Sequence, residues 1–125
     1  MKTIWRTIND KIWKTGSTSG EDTSRGSGNK TTTVTSETPT YYGAADEFYI
    51  GISSDKATTV YLPRDAEDGR IIIVKAEMKP PLGSRKVNIT TTDGSKIDGY
   101  SDADINVSHG YRILIRNHGE WFIIS

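Results

Sequence analysis

The hydrophobic residues in the second half of the chain recur at every second position, in short runs separated by turn residues. Phe48, Ile50 and Ile52 share one face of such a run, and Val60 and Leu62 share a face of the next. A period of two is the spacing of side chains on one face of a β-strand. Turn residues interrupt the pattern about every ten positions, as they do in sandwiches and small barrels. We therefore predict an all-β fold, a compact antiparallel β-sandwich or small barrel of seven to eight short strands.

Two segments are apolar on both faces rather than on one. Residues 71–74 read Ile-Ile-Ile-Val, which is typical of a central strand that is covered on both sides. Residues 121–124 read Trp-Phe-Ile-Ile, and an exposed edge strand of this composition would promote aggregation. We therefore expect both segments to be paired inside a sheet.

Composition supports the β assignment and excludes two classes of partner. The 125 residues include 15 Ile and 16 Thr but only 3 Leu, and β-branched side chains favour strands. The formal net charge is zero, so the chain lacks the basic excess that attracts proteins to nucleic acid. No apolar run approaches the roughly 20 residues of a membrane span. We expect neither nucleic acid nor a membrane as a partner.

The beginning of the chain carries an apolar pattern of a different period. In residues 3–14 the large apolar side chains follow one stripe of a short helix, with Trp13 just outside it, although a strand is also compatible with this segment. These side chains are Ile4, Trp5, Ile8, Ile12 and Trp13. The stripe needs a surface to cover it, either on a neighbouring subunit or on the chain's own domain. We favour a neighbouring subunit, because the segment that follows gives the stripe reach.

That following segment, residues 15–40, has the composition of a linker. Eighteen of its 26 residues are Ser, Thr or Gly, and Val34 is its only aliphatic side chain. Such a segment cannot bury enough apolar surface to offset the entropy lost when it is ordered. We expect any order in it to come from contacts outside the segment.

These patterns divide the chain into two parts. We predict an extended N-terminal arm of residues 1–40, with the apolar anchor at residues 1–14, and a β domain of residues 41–125. Tyr41 and Tyr42 stand where the arm meets the domain. We predict that these tyrosines pin the arm and, together with the apolar anchor, contact a partner.

Candidate chemistry is sparse. The chain has no cysteine, and its two histidines do not have the spacing of a zinc site. The best candidate for a cation site is an acidic cluster, in which two side chains would share a strand face. Its members are Asp93, Asp98, Asp102 and Asp104. Aspartates that cap their own turns explain the same pattern. We therefore assign no metal, no cofactor and no catalytic residue, and we expect a protein that is not an enzyme.

A series of short motifs resembles a known family. Residues 60–63 read Val-Tyr-Leu-Pro, residues 69–75 form a Gly-led Ile/Val strand that ends in Lys, residues 97–99 read Ile-Asp-Gly, and the chain closes on a hairpin with Trp121. This progression resembles a small β module that recurs in virion proteins of tailed bacteriophages, notably tail-fibre and other appendage proteins. The resemblance covers about residues 47–124. The chain departs from it in a proline-rich loop at 79–84 and in His118 and Glu120 of the last turn.

The resemblance implies a component of the phage particle surface that forms a homo-oligomer, with a trimer favoured. Its partners would be other virion proteins, the major capsid protein or tail proteins. A compact domain after an extended arm favours a capsid decoration (cement) protein that clasps neighbouring subunits. The alternative is a tail-associated adaptor or fibre-tip subunit that binds a host surface glycan or receptor.

Overall fold

The computed structural model describes residues 28–125, and this part of the chain is all β. Its nine strands are β1 (Lys30–Thr35), β2 (Thr40–Tyr42), β3 (Glu47–Ser53), β4 (Thr58–Tyr61), β5 (Ile71–Ala76), β6 (Val87–Thr90), β7 (Asp102–Ile105), β8 (Tyr111–Asn117) and β9 (Glu120–Ile123). They form a five-stranded sheet A, in the order β1-β3-β5-β8-β9, and a four-stranded sheet B, in the order β2-β4-β6-β7. Within residues 28–125 neither sheet closes into a barrel, and no helix has the length and hydropathy of a membrane span.

The prediction of an antiparallel fold is wrong for the first six strands. These strands form three successive rungs, each with one strand in sheet A followed by one strand in sheet B, so that β1-β3-β5 and β2-β4-β6 are both parallel. Parallel neighbours need a crossover connection, and here the strand in the opposite sheet provides it. Only β5–β8, β8–β9 and β6–β7 are antiparallel. Both sheets are therefore mixed, because alternation fixes which side chains face inward but not the direction of the neighbouring strand.

One hydrophobic core lies between the two sheets and draws residues from both. Its fully buried members include Ile50, Ile52, Val60, Ile72, Val74, Val87, Ile89, Leu114 and Trp121. Fully burying a side chain of this size contributes about 1.5–3 kcal/mol. The inward positions of strands β3 and β4 are those that the period of two predicts. On β8 the inward side carries Leu114 and Arg116, and the more apolar side, with Ile113 and Ile115, faces outward.

The last part of the predicted linker belongs to the sheets. Residues 30–35 form β1 in register with β3, and Val34 is 1% exposed in the core. The composition of this segment is too polar to order it in isolation, but the strand ladder of β3 satisfies its backbone, and one aliphatic side chain is enough to fix its register. The apolar anchor (Ile4, Trp5, Ile8, Ile12 and Trp13) lies outside the described residues.

Strand β9 lies at the edge of sheet A, not inside it as predicted. Its outer edge is nevertheless covered by residues 96–98. The Trp121 amide donates to the Lys96 carbonyl at 2.8 Å, and the Asp98 amide donates to the Trp121 carbonyl at 2.9 Å. The Ile123 amide donates to Asp98 Oδ1 at 3.1 Å. This short segment protects the edge in place of a further strand.

Candidate functional site

The side of sheet A that faces away from the core is apolar over three adjacent strands. Ile72, Val74 and Leu114 point into the core, so their neighbours along β5 and β8 point outward. We call this surface outer face A. It consists of Ile71, Ile73, Tyr111, Ile113, Ile115, Phe122 and Ile124. The apolar pattern of residues 71–74 predicts a central strand that is covered on both sides. Strand β5 is central in sheet A, but only one of its sides lies in the core, and the other forms part of outer face A.

The side chains of outer face A form rows across the strands. The register places Ile73 beside Ile113, and it places Ile71 beside Ile115, which is in turn beside Phe122. The four isoleucines on β5 and β8 are half-buried by one another, whereas Ile124 is 56% exposed, Tyr111 50% and Phe122 39%. Within the described segment 28–125 these three side chains therefore keep more than a third of their surface open to solvent. A contiguous apolar surface of this kind indicates an interaction site.

Polar groups border outer face A on one side. The Tyr49 hydroxyl donates a hydrogen bond to the Glu77 carboxylate, which lies over Gly51. Burial and the neighbouring Glu77 raise the pKa of Tyr49 to about 12. The ammonium group of Lys75 lies 5.6 Å from the centre of the Tyr111 ring. These groups give the apolar surface a polar rim, as in interfaces between proteins.

The corresponding side of sheet B is chemically different. Its outward residues form two rows across the four strands, which we call outer face B. One row is Tyr42, Tyr61, Thr90 and Asp102, and the other is Thr40, Thr59, Asn88 and Asp104. Neither row contains an aliphatic side chain or a cation. The protein therefore has one apolar and one polar, aromatic outer face.

The two tyrosines predicted to pin the arm lie on opposite sides of β2. Tyr41 packs against the core, and its hydroxyl donates to Glu47 Oε1 at 2.7 Å. The buried Glu47 carboxylate also accepts from Thr32 Oγ1 at 2.5 Å and from the Ala44 amide at 3.0 Å. Tyr42 is 62% exposed and points outward. Tyr41 thus links β2 to β1 and β3, and the binding of a partner by either tyrosine stays a prediction.

The predicted acidic cluster divides between different sites. Asp93 is buried and contacts Arg116 Nη1 at 3.4 Å. Asp98 accepts the Ile123 amide at the β9 edge, and Asp102 and Asp104 lie on outer face B. Within residues 28–125, no group of three or more His, Asp or Glu side chains is arranged to hold a metal ion.

Sequence reasoning did not single out the two buried charged residues, Glu47 and Arg116. The alternation along β8 places Arg116 on the same side as Leu114, but nothing in the sequence marks this side as the core side or identifies the partner of the charge. Its partner, Asp93, comes from the turn after β6, 23 residues away. The contact could be found only once the fold had brought these two segments together.

A surface depression of about 450 Å³ lies where the turns of the three rungs stack, and it is lined by residues that include Ser36, Ser54, Asp55 and Arg85. Arg85 is engaged by its own loop, since its guanidinium donates to the carbonyls of Lys79 at 2.9 Å and Leu82 at 3.1 Å. The loop that departs from the phage pattern is thus closed on itself. We find no nucleophile, base and oxyanion donors converging in this depression.

Comparisons of the chain with protein-family models, with curated proteins and with solved structures each gave no match. We therefore infer a function from the chemistry of the two outer faces.

Proposed function

We propose that this chain is a non-enzymatic structural protein that assembles with copies of itself through outer face A. The observation that carries the proposal is the row structure of that face. Flat rows of isoleucine on β5 and β8 are the surface that packs against a second sheet at a spacing of about 10 Å. Within the described residues the chain provides no second apolar face for this contact.

The chemistry of the two outer faces limits how copies can meet. A head-to-tail contact would set the isoleucines of outer face A against the carboxylates of Asp102 and Asp104 on outer face B. Burying a charge without a partner is costly. Outer face A must therefore meet outer face A of other copies, in a pair about a two-fold axis or in a trimer about a three-fold axis. Either arrangement gives a closed oligomer rather than a filament.

The size of the contact suggests why a second element is needed. Three strands at about 4.8 Å spacing, each about 20 Å long, offer roughly 290 Å² per copy. A pair of copies would then bury roughly 580 Å², below the ~1,200 Å² at which stable interfaces begin. An anchor that crosses to a neighbouring subunit and buries Trp5 and Trp13 would supply the difference. This combination of sheet contact and arm supports the interpretation of a clasp.

Within this proposal, the resemblance of residues 47–124 to phage virion modules favours a capsid decoration protein, assembled as a trimer with its arm on neighbouring capsid subunits. A tail-associated adaptor or fibre-tip subunit is the alternative. A decoration protein and a tail-associated subunit would occupy different positions on the particle. Electron microscopy of particles labelled through a tag on this chain tests them, because label on the heads supports decoration and label on the tails supports the alternative.

Analytical ultracentrifugation of the full chain tests the assembly itself. We expect an oligomer that dissociates on dilution and that Ile113→Glu converts to a folded monomer. Thr40→Glu, which adds the same charge to outer face B, is the matched control and should leave the oligomer intact. A wild-type chain that stays monomeric at millimolar concentration, with its own residues 1–14 protecting outer face A from hydrogen exchange, would show that the proposal is wrong.

A further inference from the structure

We propose that outer face B binds neutral oligosaccharides in a shallow groove between Tyr61 on β4 and the carboxylates of β7. The proposal is independent of self-association, because outer face B lies on the opposite side of the protein from outer face A. It rests on the orientation of one pair of rings, on the small residues beside them and on the charge of the face.

The rings of Tyr42 and Tyr61 stack with centroids 4.5 Å apart and planes within 6° of parallel. Their strands are neighbours in sheet B, so their backbones are about 4.8 Å apart. Two parallel rings at this spacing cannot both lie flat on the sheet, so they stand up from it. One face of Tyr61 is covered by Tyr42, and the other is directed along the row toward Thr90 and Asp102.

The next strand provides a floor of small polar side chains. Asn88 and Thr90 of β6 lie between Tyr61 and β7. Thr90 Oγ1 donates to the Ser101 carbonyl at 3.0 Å, which leaves its lone pairs free to accept a hydrogen bond. Strands β4 and β7 are two spacings, or about 10 Å, apart. This width accepts a pyranose ring whose C–H face packs on Tyr61 while its hydroxyl groups reach the opposite wall.

That opposite wall consists of Asp102 and Asp104, whose oxygens accept hydrogen bonds from pairs of sugar hydroxyls. The two described rows of outer face B contain no Lys, Arg or His, and this lack of positive charge determines whether the groove accepts neutral or acidic sugars. Uronic acids, sialic acids and phosphorylated sugars would be repelled by the two carboxylates, because the cation that precedes β6, Lys86, lies four residues before Thr90, about 13 Å along the strand. The groove therefore selects neutral hexose and N-acetylhexosamine chains.

Assembly through outer face A would leave every copy of outer face B exposed. A polymer with repeating sugar units could then contact several grooves of one oligomer. Linked sites can raise the overall affinity by about 10²–10⁴ over that of one groove. A weak single site is therefore compatible with firm attachment to a polysaccharide surface.

The test uses the full chain and an array of neutral hexose and N-acetylhexosamine oligosaccharides, with hexagalacturonate and oligolysine included. We expect binding to neutral oligosaccharides and none to hexagalacturonate. For a soluble hexasaccharide, which occupies a single groove, Tyr61→Ala should weaken binding at least tenfold and Tyr61→Phe should retain it. Tyr111→Ala, a tyrosine of outer face A, should leave this single-site binding unchanged. Circular dichroism verifies that each variant is folded.

Three results would overturn the proposal: no neutral oligosaccharide bound, equal loss in Tyr61→Ala and Tyr111→Ala, or salt-sensitive binding of oligolysine alone, which would make outer face B a docking surface for a basic protein. The monomeric variant Ile113→Glu separates this proposal from the one on assembly. It should bind a soluble hexasaccharide as the wild type does, yet lose the added affinity for an immobilised polysaccharide.

Discussion

The guanidinium of Arg116 lies 3.4 Å from the carboxylate of Asp93 in the interior, where the two side chains are only 8% and 5% exposed. Ser95 Oγ bridges them, since it donates to Asp93 Oδ1 at 2.6 Å and accepts from Arg116 Nη1 at 3.1 Å. The guanidinium also lies 5.5 Å from the centre of the Trp121 ring. This one cluster joins β8 and β9 of sheet A to the turn that follows β6 of sheet B. These contacts hold β8 and β9, which carry part of outer face A, against the rest of the core.

We expect this pair to make the protein sensitive to acid. Burial alone would raise the pKa of Asp93, but hydrogen bonds from Ser95 and from the Asp65 amide, together with the Arg116 charge, hold this pKa well below its ordinary value. In acid the unfolded chain therefore binds a proton that the native protein does not. The stability from this group is fully present above about pH 4 and is lost as the pH falls toward the native pKa.

Urea unfolding between pH 2.5 and 7 measures this effect. Asp93→Asn should flatten the acid slope and lower stability at pH 7 by about 3–5 kcal/mol, because it leaves the Arg116 charge uncompensated. The double variant with Arg116→Met should recover part of that loss, and Asp55→Asn, at an exposed position, should retain the wild-type slope. An unchanged slope in Asp93→Asn would contradict the assignment.

Stability should also fall in alkali, through Tyr49. Burial and Glu77 raise the pKa of Tyr49 to about 12, so the native protein holds the phenolic proton after the unfolded chain has released it. The stability from this group is present below about pH 10 and is lost as the pH rises toward 12. Tyr49→Phe should reduce the fall in the urea midpoint between pH 9 and 11.5, and Tyr100→Phe, which is 73% exposed in the wild type, should not. Equal slopes in the two variants would exclude Tyr49 as the source.

The positions of the strands could be read from the sequence more fully than their pairing. Alternation located the core positions of β3 and β4, since burial at every second residue is a local property. On β8 it did not, because the more apolar side of that strand, with Ile113 and Ile115, faces outward. The parallel rungs could not be predicted, because they depend on where each connection returns. Strand β1 was missed because Val34 is its only aliphatic residue, so that its order comes from β3 and not from its own composition.

The first rung, which consists of β1 and β2, allows a test of the statement that the order of β1 comes from its contacts with β3. The Glu47 carboxylate accepts hydrogen bonds from Tyr41, Thr32 and the Ala44 amide while it is fully buried. Tyr41→Phe removes one of the three hydrogen bonds to this buried carboxylate and leaves Glu47 Oε1 with the Ala44 amide alone, which costs about 1–3 kcal/mol. We expect hydrogen exchange to accelerate at the amides of β1 and β2 more than at those of β5. Tyr42→Phe is the control, and equal acceleration in all strands would mean that the first rung does not open independently.

The contact of Asp98 with the edge of β9 should control aggregation. Asp98 has a positive φ of 51° and accepts the Ile123 amide through Oδ1. Asn tolerates this backbone conformation and offers the same acceptor, whereas Ala does neither. Asp98→Ala should therefore cost about 1–2 kcal/mol and loosen the segment that covers the Trp121 edge, so that light scattering on prolonged incubation rises above the wild-type level. Asp98→Asn should behave as the wild type does. Aggregation of both variants to the same extent would point to the charge of Asp98, and not to its hydrogen bond, as the protective feature.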